Sequence, residues 1–304
     1  MRITSLKHLP NIQASVVTLG VFDGVHLAHR KIIKKTIAEA KHLKAKSIVI
    51  TFEKHPKKTT HKKAPLILTT TTKKIDLIRK LGVDILVLVD FNKKFASIPA
   101  RSFIENILVR KLKVRKVVVG HDYGFGKGKE GNAKLLKNEG KRFGFKTLVT
   151  APVLINNKII SSTRIRSAVR SGDISTAKKY LGRDYSVIGK VEQGKKLGRT
   201  FGFPTANLNC FNEVVPKEGV YAVRIRMNGK NYKGACSITS PTFDRPDKPA
   251  KPEVFIFNFK KNIYNKVMEV YFIKKIRGSR KFNNIPALVK QINRDIAVIK
   301  KLIK

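Results

Sequence analysis

From residue 16 to about 182, short apolar runs rich in β-branched residues alternate with longer stretches whose apolar positions recur at helical spacing. VVTLGVF precedes LAHRKIIKKTIAEAKHLK, SIVITF precedes TTKKIDLIRKLG, VDILVLVDF precedes ARSFIENILVRKLK, and VRKVVVG precedes NAKLLKNEGKRFG. Strands followed by helices in this order predict a parallel sheet with helices on its faces. Unbroken apolar runs such as DILVLV suit strands covered on both sides. A last strand, KTLVTAPVLI, and two short helices around STRIRSAVRSG and ISTAKKYLG are predicted to close this domain, placed at residues 1–183.

After LGRDY the period shortens. YSVIGKVEQG, GVYAVRIRMNGKNYKGACSI, EVFIFNF and KVMEVYFIKKI alternate apolar with polar residues and are separated by Gly, Pro and Asn. Within the second of these, Asn228-Gly229 is a two-residue hairpin signal, because both turn positions need positive φ. A small antiparallel barrel is predicted for residues 184–304, ending in one amphipathic helix whose Leu288, Ile292 and Ile299 pack on it. The fold class is therefore α/β, with an N-terminal Rossmann-like parallel-sheet domain followed by an antiparallel β-barrel and a C-terminal helix.

At 304 residues and 42% apolar content, the chain has material for two buried cores. No run reaches the roughly 18 apolar residues of a membrane span. His8, Pro10 and Asn11 interrupt the N-terminus before a signal-like core can form, so a cytoplasmic protein with no membrane partner is expected. The two cysteines, Cys210 and Cys236, fit a reducing compartment and lie in no CxxC spacing, which argues against a disulfide framework or structural zinc.

Charge changes the picture most: 65 Lys+Arg against 20 Asp+Glu give +45, a balance that by itself suggests nucleic acid or an anionic surface. The cations, however, are spread through amphipathic segments such as RKIIKKTIAEAKHLKAK and VRIRMNGKNYK, not gathered in a tail or an aromatic-interleaved stripe. Nucleic acid is therefore not the expected partner, while attraction of polyphosphate substrates is. The sequence carries no signal of oligomeric state.

Candidate chemistry concentrates at two places. In LGVFDGVHLAHRKIIKK, Gly20 and Gly24 stand at the carboxyl end of the first predicted strand and a helix begins near Leu27. An open α/β sheet places its ligand crevice there, and helix-start amides favour anions. His26 and His29, three residues apart, can face that crevice together, making a phosphate-binding corner. Taken alone, the same residues shape a turn and cap a helix; a zinc site lacks a third ligand beyond Asp23. The segment GVFDGVHLAHR resembles the GxFDGxHxGH signature of nucleotidyltransferases that attach AMP to FMN, with Ala28 in place of a glycine. TFEKHP (Thr51 to Pro56), VVGHDYGFGKGKEGN and SSTRIR (Ser161 to Arg166) resemble further segments of that family. Without the resemblance, the Gly-Lys run from Gly124 to Gly131 reads as a flexible loop and SSTRIR as a helix N-cap. The resemblance implies nucleotide contacts from Gly20, Phe22, Asp23, Asp122, Ser162 and Thr163, with His26, His29 and Arg166 acting on the reacting phosphates.

The second place is GKVEQGKKLGRTFGFPTANL, Gly189 to Leu208, which resembles the riboflavin kinase signature GxxLGRxxGFPTANL. Thr205 and Asn207 supply two hard oxygens on one strand face, suited to Mg²⁺. The resemblance implies ATP contacts from Gly194, Lys195, Gly198, Arg199, Gly202, Thr205 and Asn207, and a general base at Glu253 in KPEVFIFNF. Ser237 stands where that family has an asparagine, and Ser279 where a glutamate is usual.

Both signatures in one chain look like the bifunctional riboflavin kinase/FMN adenylyltransferase family of bacteria. The resemblance implies ATP and Mg²⁺ as co-substrate and cofactor, with riboflavin, FMN and FAD as substrates and products. Two alternatives stay open on the sequence: an enzyme that has kept one of the two activities, and a basic nucleic-acid-binding protein.

Overall fold

The computed structural model describes residues 1–60, 64–194, 198, 201–239 and 251–303. Two compact units are formed, Met1–Ser161 and Ser162–Lys304. The first is built on parallel strands β1 (Arg2–Thr4), β2 (Ser15–Leu19), β3 (Lys46–Phe52), β4 (Ile85–Val89) and β5 (Val114–Gly120). A small ladder of β6 (Gly124–Phe125) and β7 (Gly131–Asn132) follows, and β8 (Lys146–Thr150) completes a sheet of order β1-β4-β3-β2-β5-β8. From β2 the chain runs to β3 on one side and later to β5 on the other. The order thus reverses between β2 and β5, and the crevice at the carboxyl ends of these two strands is where such sheets bind ligands.

Helices α1 (Leu27–His42), α2 (Lys57–Thr60), α3 (Thr71–Arg79), α4 (Lys93–Ala96), α5 (Ala100–Phe103) and α6 (Ala133–Phe143) connect the strands, α5 running on as π-helical turns over Ile104–Lys111. Strand alternation divides the core. Val49 and Leu86 meet Ile33 of α1 and Ile78 of α3 on one face, whereas Val17, Ile48, Ile50, Val87 and Val117 meet Phe103, Ile104, Leu108 and Leu136 on the other. Every residue of β2 is buried, as the unbroken apolar run requires.

Two details differ from the pattern. The edge strand β1 is only three residues long and carries too little periodicity to be read; it is held by pairing Arg2–Thr4 with Ile85–Val87 of β4. The predicted strand KTLVTAPVLI divides into β8 and a separate β9 (Leu154–Ile155), because Pro152 has no amide hydrogen for the ladder. β9 pairs with β10 (Lys158–Ile159) across Asn156 and Asn157, both at positive φ.

The second unit opens with α7 (Ser162–Ser171) and α8 (Ile174–Leu181), and α8 lies against β11 (Tyr185–Glu192) and β16 (Val267–Arg277). With β12 (Thr205–Cys210), β13 (Gly219–Met227), β14 (Lys230–Thr239) and β15 (Lys251–Ile256), these strands form a closed barrel of order β11-β12-β15-β14-β13-β16. Every pairing in it is antiparallel. Asn228 and Gly229 take φ of 49° and 75° at the β13–β14 turn, the hairpin expected from the sequence.

The C-terminal helix α9 (Ile285–Leu302) packs through its second half: Ile299 and Ile303 are buried with Ala222 of β13, while Leu288 and Ile292 are half-buried. Between them Asp295 is buried and ion-paired with Arg277 at 2.8 Å, so a charge pair takes the middle of the stripe.

Ile33 is fully buried between α1 and the sheet. Ile33→Ala is expected to destabilise the first unit by about 2–5 kcal/mol, read as a lower urea midpoint at unchanged slope.

Candidate active sites

The loop between β2 and α1 is strained and over-determined. Phe22, Gly24 and Val25 have φ of 49°, 86° and 39°, a conformation that costs a non-glycine residue about 1–3 kcal/mol. Several bonds hold it. The Gly24 amide donates to Thr69 Oγ1 at 2.9 Å, and the Asp23 carboxylate accepts from the amides of Leu68 and Thr69 at 3.0–3.2 Å and from the Thr69 hydroxyl at 3.2 Å. The Val21 carbonyl accepts from Thr51 Oγ1 at 3.0 Å and lies 3.5 Å from Lys74 Nζ, which also donates to the Phe52 carbonyl at 2.5 Å. Burial pulls the Lys74 ammonium down to about 8, with Asp23 opposing.

Several residues expected at the nucleotide have side chains that are buried or turned onto the protein. Phe22, expected at the nucleotide, is 2% exposed and belongs to the core under α1, because its positive φ turns the ring inward. A Cβ on Gly20 would come within 3.0 Å of that ring, so the missing side chain makes room for Phe22. Asp23 is 5% exposed and turns its carboxylate to backbone amides, a brace for the loop. His26 is the N-cap of α1, its Nδ1 accepting from the His29 amide at 3.4 Å, which leaves Nε2 as the ring nitrogen able to donate elsewhere. The two imidazoles stack with centroids 3.5 Å apart, and His29 also meets the Phe22 ring edge-on at 5.2 Å. The pair predicted to act together is thus assembled, with Ala28 half-buried in the first turn of α1.

Asp122 follows β5 on the other side of the crevice, its side chain 84% exposed. The Gly-Lys run behind it is anchored: Glu130 accepts from the Ala100 amide at 2.7 Å and the Lys127 amide donates to the Ile98 carbonyl at 2.9 Å. Ser162 and Thr163 form the first turn of α7 and Arg166 lies one turn on, all within the second unit. A groove of about 620 Å³ along α1, lined by Leu27, Arg30, Lys31, Lys34, Lys35 and Leu148 among others, aligns cations behind the helix start.

In the barrel, alternation turns Ala206 and Leu208 inward and leaves Thr205 and Asn207 on the outer face of β12. Asn207 is in register with Glu253 of β15, which is in register with Ser237 of β14, so three adjacent strands present these side chains side by side. The Thr205 hydroxyl donates to Glu253, but desolvation outweighs it and raises the carboxyl above its ordinary value of 4.5. Gly194 and Gly198 let the preceding loop close on this face: a Cβ on Gly194 would overlap the Asn207 carboxamide, and one on Gly198 would strike the Phe203 carbonyl. Gly202 turns at φ +84° before β12. Lys195 and Arg199, together with residues 240–250, lie outside the described residues; Ser279 is exposed beyond β16.

A pocket of about 480 Å³ opens at the barrel mouth, lined by Val191, Pro204, Thr205, Ala206, Val254 and Ile256 and by the segment Phe259 to Tyr264. That segment, with two lysines between aromatic residues, was not singled out in the sequence, where it reads as an ordinary loop. Lys74 and Thr69 were missed as well. A lysine four residues before Ile78 on the apolar stripe of α3 is the signal that marks Lys74.

A family model described as FAD synthetase matches residues 9–164, and one described as riboflavin kinase matches residues 181–303. The chain is thus a two-part transferase, a nucleotidyltransferase joined to a kinase. It belongs to the bifunctional riboflavin kinase/FMN adenylyltransferase family. The relative so named from Buchnera aphidicola (strain Sg) is 38% identical over 304 residues, covering 98% of this chain and 97% of that protein. The one from Bacillus subtilis is 39% identical, covering 92% and 90%. A crystal structure described as a macrolide-efflux protein from Streptococcus pneumoniae superposes with a TM-score of 0.88 at 32% identity, covering 97% of each chain. Among the described residues here, no helix is long and apolar enough to cross a membrane.

Because Gly194 leaves room for Asn207, Gly194→Ala is expected to lower riboflavin phosphorylation by at least about tenfold while FAD formation from supplied FMN stays at the wild-type rate. Chromatographic separation of FMN and FAD reads both rates.

Proposed function

We propose that the chain carries out the two reactions of flavin nucleotide synthesis in succession, each with its own set of residues. The observation that carries the kinase half is the register of Asn207 with Glu253 across β12 and β15, with the Thr205 hydroxyl on the same carboxylate. Glu253 takes the proton from the 5′-hydroxyl of riboflavin as its oxygen bonds to the γ-phosphorus of ATP and the bond to the β-phosphate oxygen breaks, giving FMN and ADP. Thr205 and Asn207 are hard oxygen donors on one face of β12, a pair that suits Mg²⁺ shared with substrate phosphates, and the ion, when bound, would neutralise charge on those phosphates. The pocket at the barrel mouth, apolar on one side with Lys260 and Lys261 on the other, suits the nucleotide.

In the transferase half, a phosphate oxygen of FMN attacks the α-phosphorus of a second ATP and pyrophosphate leaves, forming FAD. That nucleophile is already anionic, so positioning and charge stabilisation suffice. His26 donates through Nε2 and His29 stacks beside it at the start of α1. The FAD synthetase match runs to residue 164 and so takes in Ser162 and Thr163, which supports assigning the SSTRIR helix start, with Arg166, to this reaction. Asp122 is placed at the same nucleotide for its position after β5. The functional boundary is put at 183/184, just inside the start of the riboflavin kinase match at residue 181 and just before the first barrel strand at Tyr185. A cytoplasmic setting is supported by the two free cysteines.

The test is a product assay with riboflavin, ATP and Mg²⁺. His29→Ala is expected to lower FAD formation by about 10²–10³-fold and leave FMN formation unchanged. Asn207→Ala is expected to abolish FMN formation and spare FAD made from supplied FMN. Loss of both activities in either folded single variant contradicts the division.

The pH dependence follows from Glu253. With its pKa raised above 4.5, the carboxyl stays protonated to higher pH and becomes a base only above the raised value. Phosphorylation at saturating substrate is expected to climb along an acid limb lying above 4.5, and adenylylation of FMN is expected to lack it.

A further inference from the structure

Lys74 is a lysine 6% exposed on the inner stripe of α3, a position ordinarily taken by an aliphatic residue. Its ammonium donates to the carbonyl of Phe52, the last residue of β3, and lies 3.5 Å from the carbonyl of Val21, two residues beyond β2. These carbonyls end adjacent strands, and each begins one of the two loops that border the crevice, GVFDG and FEKHP. The same helix start grips the loops at three further points: Thr71 Oγ1 donates to the Glu53 carbonyl at 2.7 Å, Thr69 Oγ1 accepts from Gly24, and the Leu68 and Thr69 amides donate to Asp23.

The loop so held contains two non-glycine residues at positive φ and delivers His26 to the N-cap of α1. Left-handed backbone of this kind persists only where surrounding bonds enforce it. Burying an ammonium is costly, and a core methionine would fill the same slot without that cost, so stability is a poor reason for a lysine here. We infer that Lys74 is a positioning residue of the adenylyl transfer: its ammonium clamps the carbonyls of Val21 and Phe52 together and so sets the loop that aims His26 and His29 at the phosphates. This rests on the reading of His26 and His29 given above.

The experiment uses the full chain with Lys74→Met, which keeps the side-chain volume and removes the charge. FAD formation from FMN is expected to lose about 100-fold in kcat with KM for ATP within threefold. FMN formation by the same molecules serves as the internal reference. Loss of stability alone would not select among resonances of the folded protein, so histidine ring NMR separates the two roles. The imidazole signals of His26 and His29 are expected to shift while those of His42 and His121 stay. A folded Lys74→Met variant with kcat within threefold of wild type, or with unmoved His26 and His29 signals, overturns the proposal. Should Lys74→Met not fold, Lys74→Gln, which removes the charge and cannot hold both carbonyls through one ammonium, carries the same readouts: kcat lowered more than threefold supports the clamp, and kcat within threefold of wild type overturns it. If His29→Ala leaves FAD formation intact, the reading of the histidines fails, and that result is distinguishable from failure of Lys74→Met alone.

Discussion

Asp23, an acid buried to 5% exposure, accepts three hydrogen bonds from Leu68 and Thr69, and the first site is arranged around that knot. The Gly20–Val25 segment would relax from its left-handed turns without it, since Phe22 and Val25 both occupy φ values that side chains disfavour. Held there, Phe22 goes under α1, Gly20 makes room for its ring, and His26 reaches the helix cap. The residues nearest the chemistry are therefore few, and much of the motif around them serves to hold the backbone that presents them.

The barrel solves the same problem by different means. Strand register presents Thr205, Asn207 and Glu253, because antiparallel pairing places residues opposite each other and alternation gives them one face. Glycines take part by being absent side chains: Gly194 admits the Asn207 carboxamide and Gly198 the Phe203 carbonyl. A carboxylate set among neighbouring strands loses solvent, and that loss raises Glu253 toward the range useful to a base. The proposed base thus sits on a rigid sheet, whereas the site proposed for transfer to an already charged nucleophile is a helix start with imidazoles.

The positive charge is explained in part by place. Arg30, Lys31, Lys34 and Lys35 run along α1 behind the histidines, and Lys260 and Lys261 stand at the barrel mouth, so cations border both candidate sites.

What the chain determined unaided was whatever depends on local period and on contiguous motifs: alternating strands and helices before residue 182, short alternating strands after it, the Asn228-Gly229 turn, and the two signatures. The helix cap at His26 and the pairing of Thr205 with Asn207 on one strand face were also legible, since both are set by neighbours in sequence. Contacts between distant segments were not. The fold puts the Phe22 ring in the core and the Asp23 carboxylate on residues 68–69, and α3 buries Lys74 against the ends of β2 and β3, none of which local period shows. Likewise Asp295 displaced apolar residues from the middle of α9 because Arg277 reaches it from β16. Burial and partner choice depend on which segments meet in space, and that only the tertiary structure decides.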